Sequence, residues 1–210
     1  MRTVIAATAQ LDLEFPRYYK RYLKWLDYLE AGPYRDDVGE VVLIENGSSR
    51  HLRSSFEEAS TWATQVIRCP LQYMRNTPKG LGYPYAWRYM KFAEFLHDVM
   101  EYDKVILWEP DFRIRTERMW NDVVAITEGF HTPFSEIYQF PETSFMVSCA
   151  GNPVLKEINS VPWKERGEVL FEGVVRTAGA SIHTEWMGDR YSERGLQCHP
   201  DADYEAQVLD

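Results

Sequence analysis

With 210 residues, 45% hydrophobic and 26% charged, the chain has an ordinary globular balance. It is long enough to bury roughly 70% of its unfolded surface without staples. Its net charge of −9, from 23 Lys+Arg against 32 Asp+Glu, argues against a general nucleic-acid binder, although a nucleotide can still bind locally through a divalent metal. Cys69, Cys149 and Cys198 lie far apart with no CxxC spacing. They imply neither a disulfide framework nor a zinc cluster, and suit reduced thiols in a cytoplasmic compartment. The N-terminal stretch turns polar too soon for a secretory signal, and no segment approaches membrane-spanning length.

Residues 3–8, "TVIAAT", read as a first buried strand. The spacing of Tyr19, Tyr22, Leu23, Leu26 and Leu29 predicts a helix over 16–30, ended by "AGP". "VGEVVLIE" reads as the second strand, a helix is expected around 55–64, and "TQVIRCP" reads as the third strand. A glycine- and proline-punctuated loop leads to a helix from about Tyr85 to Met100. "KVILWEPDFRI" reads as a fourth strand with a polar tip, and "RTERMWNDVVAITE" as a helix. "PETSFMVSC" reads as a strand, and "NPVLKEINSV" as a short helix capped by Asn152 with Pro153 at its first position. The last regular stretch, "RGEVLFEGVVRTAGASI", reads as a helix running to Gly179 and then a strand, followed by a polar tail. Strands alternating with helices predict one α/β, Rossmann-related domain: a mostly parallel central sheet with helices on both faces.

In open parallel sheets, ligands bind beyond the carboxyl ends of the strands. Three such ends are polar here: "TAQ" at 8–10, "ENGSS" at 45–49 and "EPDFR" at 109–113. Taken alone, "ENGSS" better suits a plain turn followed by a helix cap. Glu109 and Asp111, two apart, would point the same way on an extended strand, and on a turn could share one divalent cation. A solvated loop with a capping Asp explains them equally well. The histidines at 51, 97, 131 and 199 are scattered, "GLGYP" lacks the third glycine and preceding strand of a dinucleotide loop, and no nucleophile triad appears.

The order of these elements resembles the GT-A type nucleotide-sugar glycosyltransferases, specifically their large inverting group, across roughly residues 3–185. "ENGSS" stands where that group carries an Asp-Asn-Gly-Ser type motif, "RNTPKGLGYPYAWRYM" where it has an Asn-x-Gly-type loop, and "EPD" where it has Asp-x-Asp. "GEVLFEGVVRTAGASI" has the shape of its acidic helix ending in Arg-x-x-x-Gly. The sequence departs from the pattern by Glu for Asp in two motifs, by a proline inside the metal motif, and by Gly167-Glu168 for a Glu-Asp pair.

The resemblance implies a nucleotide-binding half over 1–115, an acceptor and catalytic half over 116–190, and a polar tail over 191–210. Thr8 and Ala9 would lie by the nucleotide. Glu45 would accept a hydrogen bond from the base, in a pocket with Asn46 and Ser48. Lys79 and Gly80 would approach the base, ribose or diphosphate, and Arg88 or Trp87 the sugar or phosphates. Glu109 would contact ribose and metal, and Asp111 and His183 would ligate Mn²⁺ or Mg²⁺. Glu168, with Glu172 second, would be the general base. The implied function is metal-assisted, inverting transfer from a UDP- or GDP-sugar to an acceptor hydroxyl on a glycan, protein, lipid or modified base. The alternative is a non-catalytic nucleotide-sugar-binding protein, favoured by the departures. A nucleotidyltransferase ranks lower, because "ATAQLDLEFPR" lacks a glycine-rich, basic loop after the first strand.

Overall fold

The structure is a computed structural model and describes residues 1–9, 16–45, 64–68, 84–110, 112–114, 116–135, 140–141, 145–161, 168–188 and 196–198. The strands are β1 (Thr3–Ala9), β2 (Glu40–Glu45), β3 (Thr64–Arg68), β4 (Lys104–Trp108), β5 (Phe112–Ile114), β6 (Phe130–Ser135), β7 (Phe140–Pro141), β8 (Phe145–Cys149), β9 (Ser181–His183), β10 (Met187–Gly188) and β11 (Leu196–Cys198). The helices are α1 (Pro16–Ala31), α2 (Tyr34–Asp37), α3 (Pro84–Asp98), α4 (Glu117–Ala125), α5 (Pro153–Ser160) and α6 (Glu168–Thr177). The helix expected around 55–64 lies outside the described residues, except that Thr64 opens β3.

The main sheet has the order β3-β2-β1-β4-β8-β6-β7, with β9 also paired to β6. β1 to β4 are mutually parallel, and β6 and β9 run the same way as β4. β8 runs antiparallel between β4 and β6, and β7 antiparallel to β6, so the sheet is mostly rather than wholly parallel.

Alternation along the inner strands explains why their apolar runs are unbroken. Ile5, Ala7, Val41, Leu43, Ile106, Trp108, Phe145 and Val147 face one core with α1, Tyr34 and α4. Val4, Ala6, Val42, Val105, Leu107 and Met146 face a second core with α3, α5 and α6. Both faces of these strands are therefore sealed, which is the condition that demands apolar residues at every position. Among the described side chains of α1 the buried positions are Tyr22, Trp25, Leu26 and Leu29, with Leu23 only partly buried, so Trp25 takes a place in the stripe that the spacing of leucines and tyrosines had not assigned to it.

Helix ends follow local chemistry. Asn152 accepts from the Leu155 amide at 2.9 Å with Pro153 at the first helical position, and Thr116 caps α4 through the Met119 amide at 3.2 Å. α6 stops in a Schellman turn: Ala180 N–H bonds the Val175 carbonyl and Gly179 N–H the Arg176 carbonyl, with Gly179 at φ +84°. Only glycine adopts that backbone without penalty, and it reverses the chain from α6 into β9 within three residues.

One expectation needs correction. "KVILWEPDFRI" is not one strand. It breaks at Pro110 into β4 and β5, and β5 joins a separate small sheet with β10 and β11. Within the polar tail, Leu196–Cys198 pairs antiparallel with Phe112–Ile114.

Candidate functional site

The strand registers locate the carboxyl edge of the sheet. One lateral row runs Thr64, Val41, Ile5, Ile106, Val147, His131, Ser181. Counted forward from that row, Thr8 and Glu109 are each three residues on, Ala9 and Glu45 four, and His183 two. Ala9 and Glu45 are direct register partners. Adjacent strands lie about 4.8 Å apart, so the ends of β2, β1 and β4 span roughly 10 Å, while β9 is three strand spacings, roughly 14 Å, from β4. Three polar strand ends thus share one edge, with His183 further along it.

The other residues singled out from the sequence are distributed as follows. Arg88 lies in the first half of α3 with Trp87 beside it; Glu168 opens α6 and Glu172 follows one turn later. Asn46, Ser48, Lys79, Gly80 and Asp111 lie outside the described residues.

The end of β4 is held more firmly than its sequence announced. Trp108 is fully buried, with the rings of Tyr34 at 5.1 Å, Phe145 at 5.5 Å, Tyr28 at 6.1 Å, Trp120 at 6.2 Å and Trp25 at 6.4 Å. Its indole N–H donates to the Phe112 carbonyl at 3.0 Å, and the Phe112 amide donates back to the Glu109 carbonyl at 3.1 Å. Glu109 therefore starts a turn, with Pro110 at its second position. Proline suits that place, because its φ is preset and no N–H is required. The proline that breaks the acidic motif in the sequence is thus what the local backbone calls for. Glu109 thus lies on a turn and not along an extended strand.

At the β6–β9 edge, His131 Nδ1 and His183 Nε2 are 2.9 Å apart, His131 Nε2 is 2.8 Å from the Glu128 carbonyl, and His183 Nδ1 is 2.9 Å from Glu185 Oε1. The His183 ring stacks on buried Trp186 at 3.9 Å. Three hydrogen bonds between a carbonyl, two imidazoles and a carboxylate need three ring protons, and two neutral imidazoles carry two. Burial pushes the His131 pKa down. For Glu185, burial acts upward, but the hydrogen bond and charge of His183 hold the carboxyl below its usual range.

A divalent ion finds a partial fit. The carboxylates flanking Pro110 are the hard oxygen donors that Mg²⁺ and Mn²⁺ take. His183, as placed, has both ring nitrogens engaged and offers no lone pair. Among the described residues no group of three or more His, Cys, Asp or Glu is arranged to hold a metal.

Sequence reasoning passed over Arg113, His131 and Glu185. The signal for Arg113 was available: a cation two residues past Asp111, directly after a polar strand end. His131 belongs to a strand whose internal proline hid it.

No protein-family model matches the chain, and no curated protein does. Solved structures do. The galactosyltransferase LgtC, crystallised with donor and acceptor sugar analogs, is similar at TM-score 0.55 and 12% identity, over 99% of this chain and 83% of that one. Mouse xyloside xylosyltransferase 1 in its apo form is similar at TM-score 0.52 and 8% identity, over 86% and 84%. The inositol-1-phosphate CTP transferase from T. maritima is similar at TM-score 0.60 and 12% identity, over 100% and 97%. The chain has the GT-A-type fold of nucleotide-sugar transferases. At these identities the likeness is one of fold, and it extends to a nucleotidyl as well as to glycosyl transferases.

Proposed function

We propose that the protein is a glycosyltransferase that takes a UDP- or GDP-sugar and passes the sugar, with inversion, to an acceptor hydroxyl. One observation carries this reading: the carboxyl ends of β1, β2 and β4 lie side by side, so that a single ligand can reach Thr8, Glu45 and Glu109. In this reading Glu45, Asn46 and Ser48 receive the base, Thr8 and Ala9 line its approach, and Lys79, Gly80 and Arg88 meet the diphosphate or sugar. Glu109 and Asp111 would hold Mg²⁺ or Mn²⁺ against the phosphates. Such an ion, when bound, offsets the negative charge that grows on the leaving diphosphate. His183 joins that ligand set only if its bond to His131 or Glu185 opens.

The acceptor hydroxyl must lose a proton as it attacks, and Glu168 is the proposed base, with Glu172 second. Glu168 is the α6 residue farthest from the Gly179 turn, roughly 15 Å back along the helix.

The similarity to a CTP transferase supports a second reading, nucleotidyl transfer. The absence of a glycine-rich, basic loop after β1 weighs against it. A non-catalytic nucleotide-sugar binder is the third, and the fit of Pro110 to its turn removes one reason for it.

Calorimetric titration with UDP, GDP and CDP, with and without Mn²⁺, separates these readings when followed by assays of donor hydrolysis and of pyrophosphate release. Asp111→Asn should lower transfer by at least about 100-fold, the scale of removing one preorganised charge stabiliser, without changing the melting temperature. Full activity in that variant would overturn the proposal, and binding without turnover in the wild type would favour the non-catalytic reading.

A further inference from the structure

The Arg113 guanidinium lies beside the turn that starts at Glu109. One terminal nitrogen donates to two carbonyls, Pro110 at 2.5 Å and Phe112 at 2.8 Å. These carbonyls belong to the residues on either side of Asp111. The guanidinium carbon sits 4.7 Å from the centroid of the Tyr28 ring on α1. Tyr28 is itself fixed: its hydroxyl donates to the Ile114 carbonyl at 2.8 Å and stands 2.5 Å from the Tyr34 hydroxyl. With its proton given to Ile114, Tyr28 must accept from Tyr34. The chain Tyr34 to Tyr28 to Ile114 bolts α1 to β5, and the same Tyr28 ring carries Arg113 on its face.

We propose that Arg113 is a positioning residue for this turn, holding Pro110 and Phe112 so that Glu109 meets a divalent cation and a nucleoside diphosphate without rearranging. The inference rests on the proposed transferase reading and deepens it. The physical reasons are three. A two-carbonyl clamp removes backbone freedom that binding would otherwise have to freeze out. A fixed cation on the turn that Glu109 starts favours the ionised form of that acid before any metal arrives. The planar guanidinium does both while stacked on an aromatic face, which a lysine ammonium cannot reproduce.

The test uses the full chain with Arg113→Met and Arg113→Lys. Methionine keeps the apolar stem over Tyr28 and removes the donors. The first readout is amide hydrogen exchange, independent of any activity. The Phe112 amide, bonded to the Glu109 carbonyl, should exchange at least about tenfold faster in Arg113→Met, while the β4 amides keep their protection. The second is binding of Mn²⁺ with UDP and with GDP, which should weaken by about 10- to 100-fold in Arg113→Met, the range for residues supporting a metal's ligands, and recover in part in Arg113→Lys. Unchanged exchange at Phe112 overturns the clamp whatever the protein binds. Faster exchange with unchanged Mn²⁺–nucleotide affinity shows the contact to be structural only, and overturns the positioning role while leaving the transferase reading intact. Wild-type protein that binds neither nucleotide with Mn²⁺ sinks both.

Discussion

The two ends of the strands use polar groups differently. At the amino ends, side chains close on each other and on nearby backbone. Arg2 bonds the Met100 carbonyl at 2.6 Å, pairs with Glu40 at 3.3 Å and lies over the Tyr102 ring, while the Tyr102 hydroxyl donates to Glu40. Asn152 donates to Ser148 Oγ at 3.0 Å, Ser148 Oγ lies 3.0 Å from His97 Nε2, and His97 Nδ1 lies 2.7 Å from the Tyr102 carbonyl. At the carboxyl end of β4, the described contacts instead terminate on the backbone of one turn, from Trp108 and from Arg113. A network that ends on itself serves stability. A network that ends on the turn started by Glu109 fixes the carrier of that acid. The comparison predicts that changes at the amino ends move stability and leave ligand binding alone.

The sharpest way to break that division is Lys104, the first residue of β4. It is 1% exposed, and its ammonium donates to the carbonyls of Val123, Val124 and Ile126 at 3.1, 2.8 and 2.9 Å. These carbonyls close the carboxyl end of α4, where a helix leaves acceptors unmet and favours a cation. Burial pushes the lysine pKa down, and the nearby Cys149 and Asp37 act the other way. Lys104→Met should cost about 2 kcal/mol by leaving buried carbonyls without donors, or roughly 4–8 °C in melting temperature for a chain of this size. Calorimetry checks this, and nucleotide affinity measured well below the transition should match the wild type. A loss of affinity without a loss of stability would defeat the division.

Much of this architecture was legible because sealing a strand on both faces forces its sequence to be apolar throughout, as in "VIAA", "VVL" and "VILW". Caps were legible too, since Asn152-Pro153 and Gly179 have few other uses in such positions. β6 was not legible. "FHTPFS" carries Pro133, which argues against a strand, yet the strand tolerates it because pairing with β8 covers only Phe130 and His131. β5 merged with β4 in the reading because apolar residues continue across Pro110 and only the turn's hydrogen bonds reveal the break. The direction of β8 was hidden as well, since a buried strand looks the same whichever way it runs. At the candidate site, the sequence indicated which strand ends are polar but not what holds them, because Arg113, Tyr28 and Ile114 are brought together only by the fold.

A second, smaller effect separates the two ends by pH. Burial holds the His97 pKa down, opposed by its bond to the Tyr102 carbonyl and by the charges of Asp98 and Asp103. The folded protein therefore takes up this proton at a lower pH than the unfolded chain does. Stability from this source is complete above the unfolded value, about 6.5, and falls as pH drops below it, because the unfolded state then binds more protons. Melting temperature should decline between pH 7 and pH 5, and His97→Asn should reduce that decline. A variant whose acid sensitivity equals the wild type would place the responsible proton elsewhere.

The smallest effect concerns two indoles 6.4 Å apart. Trp108 N–H serves the turn, whereas Trp25 N–H, on a fully buried residue of α1, finds no acceptor among the described residues. A buried donor without a partner costs about 1–3 kcal/mol. Trp25→Phe removes that penalty while losing part of a well-packed ring, an opposing cost of similar size. The net change should stay within about 1 kcal/mol of zero, and nucleotide affinity should be unaffected. A loss above about 3 kcal/mol in denaturant unfolding would mean that the Trp25 indole is bonded after all. Trp25 would then join Trp108 as a support of the β4 end, and the contrast between the two ends of the sheet would have to be redrawn around both.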